Sequence, residues 1–389
     1  MNILITGAFG FVGRNLSAWL AEHGHKVVAL DIARQELKAY GEFYSWDELE
    51  RIPWKEVDAV VHLAGKAHDT RNASDPQSYF DVNVGLTKKV VAVWMRENSH
   101  RGTESTEETC DRQSAIGSGE QVTGSGEAGK ASSLPAFQPS SLPIKKFILF
   151  SSVKAVADRV EGVLTEEAAP DPQTPYGQSK LEAEEVVRSA LSRGSALRSR
   201  FSDNVEQARS AMEPLNQSAG RLNYYILRPC MIHGPGNKGN LNLLYGLVRK
   251  GVPWPLGGFE NRRSFASIGN VCVVVDELLK GDVQSGVYQV ADDEAISTNE
   301  LVGLMAEVMG RRARVWRIPA GLVRAAARAG DVLRLPLNSE RLKKLTESYV
   351  VSNAKVKRAL GWKQMPVGAR TGMRTTLESF GQPAEVENF

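Results

Sequence analysis

The stretch that decides the fold is MNILITGAFGFVGRNLSAWL, residues 1–20, and within it TGAFGFVG, residues 6–13. Glycines stand at 7, 10 and 13, directly after a short apolar run and directly before a helical pattern, GRNLSAWLAEHG, that closes on Gly24. In a strand–turn–helix setting each glycine has a use. Gly7 permits the tight turn, Gly10 lets the backbone approach a pyrophosphate, and Gly13 lets the helix pack close to its strand. The free N–H groups at the helix start then face the anion. The spacing departs from the usual GxGxxG, and alone it also fits an ordinary glycine-rich turn.

The next strand decides between the two. KVVALD ends in Asp31, about 20 residues on, where a carboxylate accepts hydrogen bonds from an adenosine ribose. A carboxylate there repels a 2′-phosphate and so favours NAD over NADP, although Arg34 nearby softens the discrimination.

The formal charge of +3, from 48 basic and 45 acidic residues among 389, leaves no footprint for nucleic acid as a primary partner. Three cysteines (Cys110, Cys230, Cys272) without a CxxC pair predict neither a disulfide framework nor a zinc site. No apolar run reaches the ~18 residues of a membrane span, and the first strand starts at Asn2. A cytoplasmic protein with no membrane span and no metal is expected.

Short apolar strands (NILIT, KVVALD, DAVVHLAG, KKFILFSS, NYYILRP) alternate with helical patterns, one from about Asp81 to Arg96 and one over SKLEAEEVVRSAL. Nearly continuous apolar strands separated by helices predict an α/β fold of the Rossmann type, a doubly wound parallel sheet covered on both faces. Two polar stretches, 99–143 and 192–220, interrupt the rhythm. Each follows a helix and precedes a strand, so each is expected to be a loose surface insertion at the sheet edge away from the ligand crevice. The expected division is an NAD-binding domain over 1–232, to which about 264–293 returns, and a smaller C-terminal substrate lobe from 233–263 and 294–389. Within that lobe STNELVGLMAEVMG predicts a helix capped by Ser297 or Thr298. AGLVRAAARAGDVLRL predicts an amphipathic helix whose arginines fit packing on the smaller lobe better than a membrane-surface role.

The chemistry lies further along. TPYGQSKLEAEEVV puts Tyr176 and Lys180 four apart at a helix start, hence on one face. A YxxxK pair alone is usually a solvated helix face. Its chemical logic is specific, however: an ammonium beside a phenol favours the phenolate and makes the tyrosine a usable acid/base. The same lysine can hold the nicotinamide ribose. KKFILFSSV ends in Ser151 and Ser152, where a strand's carboxyl end meets the ligand crevice and a hydroxyl can position a substrate hydroxyl.

Together, TGAFGFVG, DAVVHLAG, DVNVGLT, FILFSSV, PYGQSKLEAE, LRPCMIHGPGNKGN, NRRSF and the closing LGW resemble the extended short-chain dehydrogenases/reductases. This is the nucleotide-sugar epimerase/dehydratase family, and the resemblance covers nearly the whole chain outside the insertions. It implies Tyr176 as the catalytic acid/base, Lys180 as its partner, and Ser152 rather than Ser151 as the hydroxyl-positioning residue. It places Gly7, Gly10, Phe11, Val12, Gly13, Ala64, Gly65, Asn83 and Pro229 around NAD, beside Tyr176 and Lys180. Asn240, Leu241 and Arg263 fall to a UDP-linked sugar. A homodimer through the two long helices is also implied.

The likeness is strongest to the bacterial UDP-hexose 4-epimerase-like branch of surface-polysaccharide synthesis, which includes 4-keto-sugar reductases. The expected activity is therefore 4-epimerisation of a UDP-hexose through a transient 4-keto sugar. The alternatives are reduction of a UDP-4-keto-6-deoxy-hexose(amine) and, in another class, a non-catalytic NAD-binding scaffold or sensor. Val153 and Lys154 follow Ser152 in place of the Asp-Glu pair of the family's dehydratases, which argues against dehydration. His233 stands where the family often has tyrosine and is expected to be a pocket-wall residue, not a metal ligand.

Overall fold

The computed structural model describes residues 1–35, 39–67, 75–99, 144–200, 222–237, 239–333 and 338–381. In chain order it begins with β1 (Asn2–Thr6), α1 (Phe11–Glu22), β2 (Lys26–Asp31), β3 (Glu42–Ser45), β4 (Ala59–His62), α2 (Pro76–Ser99) and β5 (Lys145–Phe150). The middle comprises β6 (Val163–Leu164), α3 (Pro175–Arg200), β7 (Leu222–Pro229), β8 (Met231–His233), α4 (Asn240–Arg249), β9 (Phe265–Ser267), α5 (Ile268–Lys280) and β10 (Gly286–Val290). The chain closes with α6 (Thr298–Val308), α7 (Ala320–Leu333), α8 (Ser339–Thr346), β11 (Val350–Val351), α9 (Ala354–Leu360) and α10 (Ala369–Ser379).

Seven strands form one parallel sheet in the order β10-β7-β5-β4-β1-β2-β3. The order reverses at β1, whose Leu4 sits between Val28 of β2 and Val60 of β4. That switch point, at the strands' carboxyl ends, is where an open α/β sheet leaves a crevice for a ligand. Strand residues alternate between two cores, as the two-residue period demands. Ile3 and Ile5 pack on one face with Leu16 and Leu20 of α1 and Val274 of α5. Leu4, Val28 and Leu30 pack on the other with Trp94 of α2 and Val187 of α3.

A smaller layer covers the carboxyl side. Leu241, Tyr245, Phe265, Leu304, Met305 and Met373 make one of its clusters, and Trp254, Leu256, Val302, Val323 and Leu342 another. Here α6 starts as expected, with Ser297 accepting from the Glu300 N–H and Glu300 reaching back to the Ser297 N–H. The amphipathic α7 packs through Val323 and Ala327.

Some boundaries differ from the sequence reading. α2 starts at Pro76, ahead of Asp81, and α3 runs to Arg200, well into the polar stretch expected to be loose. The rest of that stretch, and the other stretch beyond Ser99, lie outside the described residues.

Candidate active site

The glycine loop leaves β1 at the switch point. Gly7 has φ +66°, and a Cβ there would lie 2.8 Å from the Ala64 nitrogen. A Cβ on Gly13 would lie 2.4 Å from the Ala8 oxygen and 2.6 Å from the Gly7 oxygen, so helix and loop touch backbone to backbone. Gly10 is exposed and stands before α1 as its cap. Phe11, Val12 and Gly13 open the helix, so their N–H groups have no carbonyl ahead of them within it. Asp31 braces the loop: its Oδ2 accepts from the Phe9 N–H at 2.8 Å and its Oδ1 from the Ile32 N–H at 2.7 Å. The cradle that a Cβ would fill, the free helix N–H groups and the acidic strand end together fit the pyrophosphate and ribose of NAD.

Across the crevice, β5 ends at Ser151 and Ser152, whose side chains part. Ser151 donates to buried Glu184 of α3. Ser152 accepts from the Lys154 N–H at 3.2 Å, and its hydroxyl is close enough to the Tyr176 phenol to lower its pKa. Of the two serines it is Ser152 that acts on the Tyr176 pKa, while Ser151 is held by Glu184. Burial pushes the Tyr176 pKa above the ordinary phenol value, Ser152 pulls it down, and Tyr79 pushes it up. The Tyr79 ring stands edge-on to that of Tyr176, with centroids 6.1 Å apart.

Lys180 is buried one turn along α3 and donates to the Phe150 carbonyl at 3.0 Å. Burial lowers its pKa to about 8, against an opposing pull from Glu184. Gly65 leaves room for this lysine: a Cβ there would lie 2.8 Å from Asn83 Oδ1 and 3.0 Å from Lys180 Nζ.

A buried chain of hydrogen bonds links the loop after β4 to α3. The Ala64 N–H donates to Thr6 Oγ1, which lies 2.7 Å from His62 Nδ1. His62 Nε2 lies 3.0 Å from Thr87 Oγ1, which donates its own hydrogen to the Asn83 carbonyl at 2.6 Å. Since Thr87 has spent its hydrogen, His62 must donate from Nε2 and accept at Nδ1. Burial holds it neutral, with its pKa lowered to about 3. The Asn83 amide then donates to Ser179 at 2.9 Å, and Ser179 donates to the Tyr176 carbonyl.

The sequence reading missed Thr6, His62, Thr87, Ser179 and Glu184 as parts of the site. The signal for Glu184 was there: it follows Lys180 by four, as Lys180 follows Tyr176.

On the substrate side, Arg263 is partly buried and donates to the Glu347 carbonyl at 3.2 Å, while Arg262 is exposed. The Arg263 charge reaches the Lys154 ammonium, which lies 4.3 Å over the Tyr349 ring. Leu241 is buried in the smaller layer's core, Asn240 opens α4, and Pro229 closes β7. A cavity of about 640 Å³ in the smaller layer is lined by Phe259, Glu260, Arg324, Arg328, Lys343 and Thr346, among others, and by none of the sequence-predicted site residues. His233 is fully buried, with Nδ1 2.8 Å from Thr376 Oγ1 and Nε2 3.4 Å from Asp292. Among the described residues no cluster of side chains could hold a metal ion.

Comparisons with known proteins bear on the family and the fold. The model of the NAD dependent epimerase/dehydratase family matches residues 3–291. The chain is similar to a UDP-glucose 4-epimerase of Vibrio cholerae, 26% identical over 98% of this chain and 96% of that protein. It is also similar to an N-acetyl-alpha-D-glucosaminyl-diphospho-ditrans,octacis-undecaprenol 4-epimerase of Escherichia coli O157:H7, 24% identical over 92% of this chain and 85% of that protein. Among solved structures it matches a UDP-glucuronic acid 4-epimerase of Bacillus cereus in complex with NAD, with TM-score 0.61 and 16% identity over 98% of each chain. A UDP-glucose 4-epimerase of Thermus thermophilus in complex with NAD matches with TM-score 0.59 and 21% identity, over 98% of this chain and 99% of that one. At such identities these two structures establish the likeness of fold.

Proposed function

The chain belongs to the NAD dependent epimerase/dehydratase family, and from that premise we propose that it interconverts the C4 epimers of a UDP-linked hexose. The observation that carries this reading is the grouping of Ser152, Tyr176 and Lys180 where β5 ends, with Ser152 acting on the Tyr176 phenol and Lys180 held by the Phe150 carbonyl.

NAD, when bound, supplies the acceptor and later donor of the C4 hydride. This chain's residues do the rest. Tyr176 Oη takes the proton of the sugar's 4-hydroxyl as the 4-keto form arises, and returns it after the sugar has turned its other face. Ser152 bridges the sugar hydroxyl and the phenol. With its pKa above the ordinary phenol value, Tyr176 keeps its proton in the resting site, so the phenolate depends on the Ser152 hydroxyl and on positive charge nearby. Lys180 supplies one such charge below a pH of about 8. The Asp31 carboxylate favours NAD over NADP by repelling a 2′-phosphate.

Arg263 suits the diphosphate, for which a guanidinium fork is well shaped. The named activity of the Vibrio cholerae relative, similar over nearly the whole chain, supports a UDP-hexose as substrate. A substrate lobe from 233–263 and 294–389 and a homodimer through α2 and α3 belong to the same reading.

An epimerase regenerates its cofactor within each turnover and has no need to release it. Heat-denatured, purified protein should therefore release tightly held NAD. Protein that purifies empty, and oxidises NADH or NADPH with a UDP-4-keto-6-deoxy sugar, would replace this reading with a reductase.

A further inference from the structure

Two segments of the smaller layer, residues 239–259 and 311–330, contain no aspartate or glutamate. They run side by side. The Trp254 N–H donates to the Arg314 carbonyl at 2.7 Å, the Trp316 N–H to the Trp254 carbonyl at 2.8 Å, and the Gly257 N–H to the Trp316 carbonyl at 3.0 Å. Arg311 Nη1 adds a bond to the Arg249 carbonyl at 2.9 Å.

Six cations, Arg249, Lys250, Arg311, Arg312, Arg314 and Arg317, are exposed on this strip. That concentration stands against a net charge of only +3 for the whole chain. Among the described residues none of the six pairs with an acidic side chain, and nearby Glu307 is held by Arg374. Five of the ten large hydrophobic side chains exposed among the described residues lie here too: Leu243, Leu247, Val252, Trp316 and Leu322. Trp316 is 57% exposed and Leu322 64%, values that interior packing does not explain.

We propose that this strip docks the protein on the surface of an anionic phospholipid bilayer. Arginines without counter-charges meet lipid phosphates, and a tryptophan among leucines enters the headgroup boundary, the combination that interfacial binding needs. A nucleic acid would satisfy the charges but leave Leu243, Leu247 and Leu322 in water. No helix among the described residues is long and apolar enough to cross a membrane, so the contact is peripheral. None of these residues has a part in the catalytic constellation, so the inference stands apart from the choice of sugar.

Flotation with vesicles tests it. Wild-type protein should float with vesicles of equal parts phosphatidylcholine and phosphatidylglycerol at low salt, and stay behind with phosphatidylcholine alone. The triple variant Arg312→Gln, Arg314→Gln, Arg317→Gln should partition roughly a hundredfold more weakly, at about one kcal/mol per cation, with its melting profile and turnover of soluble substrate unchanged. Brominated lipid should quench the wild-type fluorescence, and the single change Trp316→Phe should remove that quenching, which keeps the test valid if the triple variant folds poorly. Failure to float, or flotation unchanged in the triple variant, overturns the proposal. So does self-association that the triple variant abolishes without any lipid binding, or RNA binding without bromolipid quenching.

Discussion

Arg228 of β7 donates from Nε to Glu184 Oε1 at 2.8 Å and from Nη2 to Oε2 at 2.6 Å, and neither side chain has meaningful access to water. Ser151 and Arg188 bond the same carboxylate. The cluster fastens α3 to β7, the strand beside β5. Breaking one side of a buried pair strands the other charge, so Arg228→Leu should cost about 3–5 kcal/mol, read as a lower urea midpoint. The double change Arg228→Met, Glu184→Leu should recover much of that loss. A double variant as unstable as the single one would contradict the ion-pair account.

Glu184 also acts on Lys180, whose pKa it holds up against burial. Glu184→Gln should therefore move the alkaline limb of kcat/KM, expected near pH 8 in the wild type, toward lower pH. An unmoved limb would mean that Lys180 charge does not govern turnover.

Tyr176→Phe should lower kcat by about 10²–10⁴ while sparing cofactor retention, since general acid–base catalysis supplies gains of that order. Ser152→Ala should also slow turnover. It should in addition raise the kinetic pKa assigned to the phenol, because the Ser152 hydroxyl is what pulls that pKa down. Bound NAD on denaturation and the pH profile are the readouts.

Gly13→Ala should abolish cofactor retention. Its Cβ would meet the Ala8 backbone oxygen at 2.4 Å, and neither helix nor loop can yield without opening the cradle. Gly24→Ala, at an open position with φ +80°, should cost stability but leave cofactor binding intact.

His62 makes stability depend on pH. Its pKa is about 3 in the folded chain against 6.5 for the free side chain. Between those values the unfolded chain takes up a proton that the folded one refuses, so stability falls as pH drops from 6.5 toward 3. His62→Gln should flatten that dependence by about one proton, or ~1.4 kcal/mol per pH unit, in urea titrations over the same window. An identical slope in the variant would assign the acid sensitivity elsewhere.

Much of the site was legible because it is local. The glycines, Asp31, Ser152, Tyr176 and Lys180 each sit at a strand end or on one helix face, and strand–turn–helix context reveals such positions. β3 escaped because four half-buried residues, EFYS, give little apolar signal. The His62 chain and the Glu184–Arg228 pair escaped for another reason. His62 and Thr6 lie 56 residues apart and Glu184 and Arg228 lie 44 apart, so they meet only when the sheet is assembled. The charged strip on the smaller layer was read through its helix, α7, which packs inward through Val323 and Ala327. The exposed tryptophan and most of the strip's arginines lie in the extended segment before it.

The central claim is inversion at C4 by the Ser152–Tyr176 pair, and a product assay tests it most directly. Purified protein is incubated with UDP-glucose, UDP-N-acetylglucosamine and UDP-glucuronic acid, with no added reductant, and the nucleotide sugars are separated by chromatography. The account predicts the 4-epimer of at least one of them, at a rate that Tyr176→Phe removes. No epimer from any UDP-hexose, together with stoichiometric oxidation of added NADH or NADPH by a UDP-4-keto-6-deoxy sugar, would contradict it.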